Sequence, residues 1–130
     1  MSVATVDPRQ AQRLVEQGAV LVDIREPGEH ARERIPGARH NPLSRLAPLD
    51  PCGARAVIYH CRSGARTAAH AERLQALADC PCYLLGGGLQ AWKQAGLPVA
   101  GASRGASLLE RLIGLLPWTR RGRGALPPPA

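Results

Sequence analysis

One stretch of the chain decides the fold. Residues 56–67 read AVIYHCRSGART, a nearly continuous apolar run that leads into a polar loop containing one glycine. A run of this kind is typical of a strand buried on both faces, as in a parallel sheet. We therefore expect a strand over 56–60, a loop over 61–66 and a helix over 67–78, where alanines and leucines recur on one side.

Similar apolar runs lie on either side of this stretch. Residues 19–24 (AVLVDI) and 82–85 (CYLL) predict two further strands. Asp7 and Pro8 are typical of the N-cap and first position of a helix before the first of these strands, and 89–94 predicts a short helix after the last. Strands that alternate with helices indicate an α/β fold with a small, mostly parallel sheet flanked by helices.

Composition predicts one folded domain and a basic tail. Apolar residues make up 45% of the 130 residues and charged residues 21%, which is typical of a globular chain that needs no disulfides to fold. Of the net charge of +7, residues 104–130 contribute +4, from five Arg and one Glu. We therefore expect a domain over 1–102 and a basic, Leu/Pro-rich tail over 103–130. Aromatic residues are only 3%, which leaves little surface for base stacking, so nucleic-acid binding is not expected.

The expected compartment is the cytoplasm. No apolar run is long enough for a transmembrane helix, and residues 1–10 do not read as a secretory signal. Residues 107–123 combine a Leu-rich stretch with Trp118 and an Arg-rich end, which predicts contact with the inner membrane surface. A helix packed on its own domain and a dimer contact remain alternatives for this tail.

The loop after the second strand carries the chemistry. Cys61 stands at the carboxyl end of a parallel strand, where ligands bind in open sheets, and a helix N-terminus that follows supplies unpaired N–H groups. Such groups stabilise a thiolate, and Gly64 lets the backbone curl around it. The residues thus predict a nucleophilic cysteine in an anion-binding cradle formed by Arg62, Ser63, Gly64, Ala65 and Arg66. A buried thiol without a chemical role is the alternative at this point.

These residues resemble a known family. The loop CRSGAR over 61–66 looks like the active-site loop of single-domain rhodaneses, which are sulfurtransferases. Three more segments agree with that family in order and spacing, so that the resemblance covers about residues 3–99: VDIRE at 22–26, IPGA at 35–38, and GGLQAW with AGLPV at 87–92 and 95–99. One departure is Glu33-Arg34, where members of the family usually have Gly-His; we expect a changed helix end and no loss of activity.

The resemblance implies a mechanism. Cys61 would take the outer sulfur of a small anionic donor such as thiosulfate, become a persulfide, and pass the sulfur to cyanide, a thiol or a protein acceptor. Arg62 would bind the donor, and Arg66 would brace the loop by pairing with an acidic group. Asp23 and Arg25 are candidates for that bracing network, with an ordinary surface ion pair as the alternative, and Thr67 is a further supporting residue. No cofactor and no metal are expected.

Two other functions remain open. A non-catalytic rhodanese-like interaction module is one, although such modules usually lose the loop cysteine. A cysteine phosphatase or arsenate reductase is the other. Those enzymes place five residues between the cysteine and the arginine of the loop, whereas four separate Cys61 from Arg66.

The remaining candidate residues have structural interpretations. Cys80 and Cys82 are expected to be packing thiols, since zinc-ligand spacing is absent; with Cys52 they could instead supply a resolving thiol. His60 is expected to be hydrogen-bonded or partly exposed. Trp92 is expected in the core, and the glycines at 86–88 are expected to form a turn beside the active site.

Overall fold

A five-stranded sheet organises the computed structural model, which describes residues 3–49 and 54–101. The strands are β1 (Ala4–Val6), β2 (Val20–Asp23), β3 (Arg39–His40), β4 (Val57–His60) and β5 (Cys82–Leu85). The helices are α1 (Pro8–Glu16), α2 (Pro27–Arg32), α3 (Ala65–Ala69), α4 (Ala71–Gln75) and α5 (Gly88–Gln94), with one 3-10 turn at Leu43–Arg45.

The sheet is parallel throughout its strand pairs. Its order is β1-β5-β4-β2-β3, so β4 lies in the centre and β2 beside it. Asp23 at the end of β2 is in register with His60 at the end of β4. The predicted α/β fold with a parallel sheet and flanking helices is confirmed, and the residues that follow β2 and β4 meet at one edge.

Local sequence explains the first helix. The Asp7 carboxylate accepts a hydrogen bond from the Gln10 backbone N–H (2.8 Å), and the Gln10 side chain accepts one from the Asp7 N–H (2.9 Å). Pro8 occupies the first helical position, and Gly18 follows the helix with φ of 111°. This reciprocal cap satisfies N–H groups that would otherwise lack partners, and the predicted start of the helix is confirmed.

A hydrophobic core covers each face of the sheet. One side buries a cluster around Ile58, Leu85 and Trp92, while the other buries Tyr59 and Leu74. Trp92 has no exposed surface, and its indole N–H donates to the Pro98 carbonyl (2.8 Å), so its expected place in the core is confirmed. The side chains of β4 are buried on both faces, which is why its sequence reads as an apolar run.

Two elements differ from the sequence-based expectation. Strand β1 was not predicted, because two of its three residues are exposed and leave no apolar run. The helix expected over 67–78 begins earlier, at Ala65, and is divided at His70, whose φ of −117° and ψ of 22° leave the helical region. The break separates α3, which faces the loop, from α4, which packs Leu74 into the core.

The division into a domain over 1–102 and a tail over 103–130 stays a prediction, because the tail lies outside the described residues. Across 3–49 and 54–101, no helix has the length and apolar character needed to cross a membrane.

Candidate active site

The loop after β4 curls around the sulfur of Cys61. Gly64 has φ of 96° and caps α3, a backbone conformation that side chains rarely tolerate. Its N–H group donates to Cys61 Sγ at 3.1 Å. The Thr67 hydroxyl lies 3.9 Å from the same sulfur and donates to the Gly64 carbonyl at 3.1 Å, which ties the helix start to the loop.

The loop favours the thiolate form of Cys61. Burial by itself raises the pKa of this thiol, since Cys61 has no exposed surface. Backbone N–H groups of Thr67, Gly64, Arg66 and Ser63 surround the sulfur, and together they outweigh burial and lower the pKa below its ordinary value. Of the five residues in the predicted cradle, Ser63, Gly64 and Arg66 direct N–H groups at the sulfur, and Thr67 adds a fourth. Anion binding by this loop stays a prediction.

Helix α5 holds the loop from the other side. The backbone N–H of Leu89 donates to the Cys61 carbonyl (2.9 Å), and that of Gln90 donates to the Arg62 carbonyl (3.0 Å). Gly88 makes this approach possible, because a β-carbon there would lie 2.5 Å from the Cys61 carbonyl oxygen. The glycines at 86–88 thus lie beside the loop, as expected. In addition, Gly88 is in direct contact with the backbone of Cys61, which the sequence did not indicate.

Arg66 braces the loop through Glu29. Its two terminal nitrogens donate to the two carboxylate oxygens of Glu29 at 2.8 and 2.9 Å. This hydrogen bonding lowers the pKa of Glu29 to about 2 and raises that of Arg66. An acidic partner for Arg66 was expected, but sequence analysis missed Glu29, which lies 37 residues away on α2.

Asp23 and Arg25 form a buried pair of their own. Arg25 Nη2 lies 2.8 Å from Asp23 Oδ2, and the two side chains are 4% and 0% exposed, so the surface-pair alternative is wrong. Arg25 also donates to the Glu33 carbonyl, and His30 Nδ1 lies 2.8 Å from Asp23 Oδ2. Burial raises the pKa of Asp23, but these contacts, led by that of Arg25, hold it at about 2.

The Asp23–Arg25 pair supports the loop indirectly. Its hydrogen bonds reach His30 on α2 and Glu33, the residue that follows the helix. Helix α2 also carries Glu29, which pairs with Arg66. Asp23 and Arg25 thus lie beside the bracing pair, and the acidic partner of Arg66 itself is Glu29.

His60, the residue before Cys61, lies in the core and is neutral. His60 is fully buried. Its Nδ1 lies 3.4 Å from the Cys61 carbonyl oxygen, as expected of a hydrogen-bonded ring, whereas its Nε2 has no hydrogen-bond partner among the described residues. Burial lowers its pKa to about 4, which keeps the ring neutral at neutral pH. The rings of His30 and His40 stack with centroids 4.2 Å apart, a contact between two elements that the sequence did not indicate.

A charged cleft of about 380 Å³ opens beside the loop. It is lined by Arg25, Glu29, Arg32, Glu33 and Arg62. Arg62, which follows Cys61 directly, is exposed. The cleft thus connects solvent with the loop that surrounds the sulfur.

The other cysteines lie away from Cys61. Cys80 and Cys82 stand at the amino end of β5, and Cys82 is in register with Val57, at the opposite end of β4 from Cys61. Burial raises the pKa of both thiols, and both pack against the core, as expected of packing thiols. Neither thiol lies where it could react with Cys61, and Cys52 lies outside the described residues.

The described residues contain no group of three His, Cys, Asp or Glu side chains that could hold a metal ion.

Fold and site together define an α/β domain with a cysteine held in a ring of backbone N–H groups at the carboxyl end of the central strand. A family model described as "Rhodanese-like domain" matches residues 7–95. The chain belongs to this family.

The chain is similar to an uncharacterised protein and to proteins named thiosulfate sulfurtransferase. It is 41% identical over 97 residues to an uncharacterised protein of Synechocystis, covering 72% of this chain but only 54% of that protein, so it spans about half of that relative. It is 38% identical over 94 residues to thiosulfate sulfurtransferase GlpE of Pseudomonas fluorescens, covering 68% of this chain and 83% of the relative. A crystal structure of thiosulfate sulfurtransferase from Pseudomonas aeruginosa superposes with a TM-score of 0.66 at 25% identity, covering 98% of this chain and 28% of that one.

The departure at Glu33-Arg34 affects the end of α2. Glu33 caps the helix and pairs with Lys93 at 2.9 Å. Arg34 exchanges two backbone hydrogen bonds of 2.7 Å with Ala100. Through these contacts, Glu33 and Arg34 connect the end of α2 to Lys93 and Ala100, which is a structural role.

Proposed function

We propose that the protein is a sulfurtransferase in which Cys61 carries the transferred sulfur as a persulfide. The observation that carries this proposal is the ring of N–H groups directed at Cys61 Sγ, with the Gly64 N–H at 3.1 Å. A ring of this kind stabilises a thiolate before the reaction and a persulfide anion after it.

In the first half-reaction the Cys61 thiolate attacks the outer sulfur of thiosulfate or a similar donor. A sulfur–sulfur bond forms at Cys61, the donor's own sulfur–sulfur bond breaks, and sulfite leaves with the electron pair. Arg62, exposed beside Cys61, attracts and binds the anionic donor. Arg66 takes no direct part, because both of its terminal nitrogens are engaged by Glu29.

Access to the sulfur requires the loop to widen. Cys61 has no exposed surface, so the donor sulfur reaches it only when the N–H groups of 62–66 move apart. Gly64 is the residue best able to change its backbone angles for this. The added sulfur then occupies the centre of the ring.

In the second half-reaction a thiophilic acceptor removes the outer sulfur and restores the thiolate. Cyanide serves in an assay, and a small thiol or a protein thiol is the proposed acceptor in the cell. The two half-reactions predict ping-pong kinetics.

The geometry disfavours the two alternatives. A cysteine phosphatase needs five residues between the cysteine and the arginine of its loop, whereas four separate Cys61 from Arg66, which is held by Glu29 on α2. An interaction module has no need of a thiolate, yet the loop lowers the pKa of Cys61.

The experiment is the intact mass of the protein after incubation with thiosulfate, for the natural chain and for Cys61→Ser. We expect the natural chain to gain one sulfur atom, to lose it on addition of cyanide, and the variant to gain none. A natural chain that stays unloaded, or a variant that loads equally, contradicts the proposal. The variant keeps Cys80 and Cys82, so it also controls for sulfur taken up at other thiols.

A further inference from the structure

The cleft beside the loop has more room than a thiosulfate ion needs. Its volume of about 380 Å³ falls in the range of roughly 300–1,000 Å³ that is typical of small-molecule sites. One wall is Arg62 in the loop, and another is Arg32 in the last turn of α2. The cleft therefore has room for a ligand larger than thiosulfate beside Arg62, the residue that follows Cys61.

Most charges of the cleft are already paired. Glu29 pairs with Arg66 at 2.8 Å, Glu33 with Lys93 at 2.9 Å, and Arg25 with Asp23 at 2.8 Å. The side chains of Arg32 and Arg62 have neither an ion pair nor a hydrogen bond within residues 3–49 and 54–101. Two guanidinium groups in one cleft, each without an ion-pair partner among the described residues, indicate an anionic ligand.

The backbone of Arg32 is fixed in place. A β-carbon on Gly101 would lie 2.2 Å from the Arg32 carbonyl oxygen, so the chain packs tightly on this turn. Two residues on, the backbone of Arg34 is hydrogen-bonded to Ala100. The guanidinium of Arg32 thus extends from a rigid position on the wall of the cleft.

The two arginines suit different parts of a ligand. Arg62 follows Cys61 directly in the loop and serves the group next to the transferred sulfur, whereas Arg32 lies on the α2 wall of the cleft and serves another part of the ligand. We propose that Arg32 is a specificity-determining residue that selects a small thiol acceptor whose far end carries a carboxylate. This inference rests on the proposed sulfurtransferase function.

The step itself needs no further reactant. The acceptor thiolate attacks the outer sulfur of the Cys61 persulfide, the Cys61 sulfur–sulfur bond breaks, and its electron pair remains on Cys61 as a thiolate. The acceptor leaves as a persulfide. A second molecule of the same thiol, in excess, reduces that persulfide, forming the disulfide of the thiol and releasing hydrogen sulfide.

The test compares three thiols of similar size and different charge: 3-mercaptopropionate, 2-mercaptoethanol and cysteamine. The full-length protein is loaded with thiosulfate, and release of hydrogen sulfide gives kcat and KM for each thiol. The ratio of Arg32→Gln to the natural chain cancels the intrinsic reactivity of each thiol. We expect kcat/KM to fall up to about fivefold for mercaptopropionate through KM, to change less than about twofold for mercaptoethanol, and not to fall for cysteamine.

Two variants serve as controls. Arg32→Lys keeps the charge and is expected to restore most of the preference for mercaptopropionate. Arg73→Gln removes an exposed arginine of α4 that does not line the cleft, and is expected to change none of the three ratios.

The outcomes separate the two proposals. Equal changes for all three thiols, the same pattern in Arg73→Gln, or sulfur transfer to cyanide but to no thiol would overturn the role of Arg32 and leave the sulfurtransferase intact. Failure to load sulfur from thiosulfate at all would remove the proposed function and this inference with it.

Discussion

Gly88 lies against Cys61 so closely that a β-carbon at Gly88 would stand 2.5 Å from the Cys61 carbonyl oxygen and 2.7 Å from the carbonyl of Arg62. With φ of 58°, Gly88 also has a backbone conformation that favours glycine. The start of α5 and the loop that surrounds the sulfur are therefore one packed unit. A change in α5 therefore acts on the backbone of Cys61 without touching its side chain.

We expect Gly88→Ala to impair both stability and sulfur transfer. The added methyl group must push the loop away from α5, which breaks the hydrogen bond from Leu89 to Cys61 and lowers the free energy of unfolding by about 1–3 kcal/mol. Urea unfolding and the rate of persulfide loading measure the two effects. The control is Gly28→Ala on α2, where a β-carbon meets nothing within 4 Å, and which should be neutral or slightly stabilising. Equal effects of the two substitutions would contradict the close contact.

Asp23 and Glu29 allow a matched comparison of a buried and a partly exposed ion pair. Asp23→Asn leaves the buried Arg25 without its counter-charge and is expected to cost about 3 kcal/mol of unfolding free energy. Glu29→Gln removes the partner of Arg66, which is 34% exposed, and is expected to cost about 1 kcal/mol or less.

The same two variants separate stability from function. Because Glu29 braces the loop, Glu29→Gln should slow persulfide loading although it unfolds at nearly the same urea concentration as the natural chain. Loading at the natural rate would show that the Arg66–Glu29 pair does not hold the loop in its active shape.

The loop around Cys61 could be predicted from the sequence, but the residues that brace this loop could not. Cys61 and its loop were predictable because strand, cysteine, glycine and helix follow one another along the chain. Glu29 was not, because it meets Arg66 across 37 residues and nothing in its own neighbourhood shows that contact. The end of the helix at His70 was also missed, since apolar spacing continues through the break.

Stability is expected to fall as the pH falls from about 6.5 to about 4, because of His60. Burial lowers its pKa from the ordinary 6.5 to about 4, so in this range the unfolded chain binds a proton that the folded chain does not. The effect reaches about 3 kcal/mol at the lower end and is measured by urea unfolding across the range. In His60→Leu this pH dependence of the unfolding free energy should disappear, and a slope equal to that of the natural chain would assign the effect to another group.

Asp23 and Glu29, whose pKa values are lowered to about 2, change the unfolding free energy only at lower pH, from about 4.5 downward.

Membrane contact through 107–123 remains a proposal that can be tested in the full chain. We expect co-sedimentation with vesicles containing phosphatidylglycerol but not with pure phosphatidylcholine, because the segment joins leucines to an Arg-rich end. Replacing Arg120, Arg121 and Arg123 with Gln should weaken the binding and leave persulfide loading unchanged. Binding that is insensitive to lipid charge would favour the dimer or packing alternatives.

Cys61 should react with iodoacetamide at a lower pH than the other thiols of the chain. Its N–H donors lower its pKa, whereas burial raises the pKa of Cys80 and Cys82, so the pH profile of alkylation should separate them. Peptide mass spectrometry after timed alkylation identifies each thiol, and Cys61→Ser shows the background from the others. Because Cys61 has no exposed surface, the maximum rate of its alkylation at high pH should also be limited by opening of the loop.

Gly64→Ala should shift the alkylation profile of Cys61 to higher pH. The substitution introduces a β-carbon 3.1 Å from the Gly87 nitrogen at a φ of 96°, and so displaces the Gly64 N–H group that donates to the sulfur. If the profile of Cys61 coincides with those of Cys80 and Cys82 in the natural chain, the ring of N–H groups does not activate the thiol, and the proposed sulfur transfer loses its physical basis.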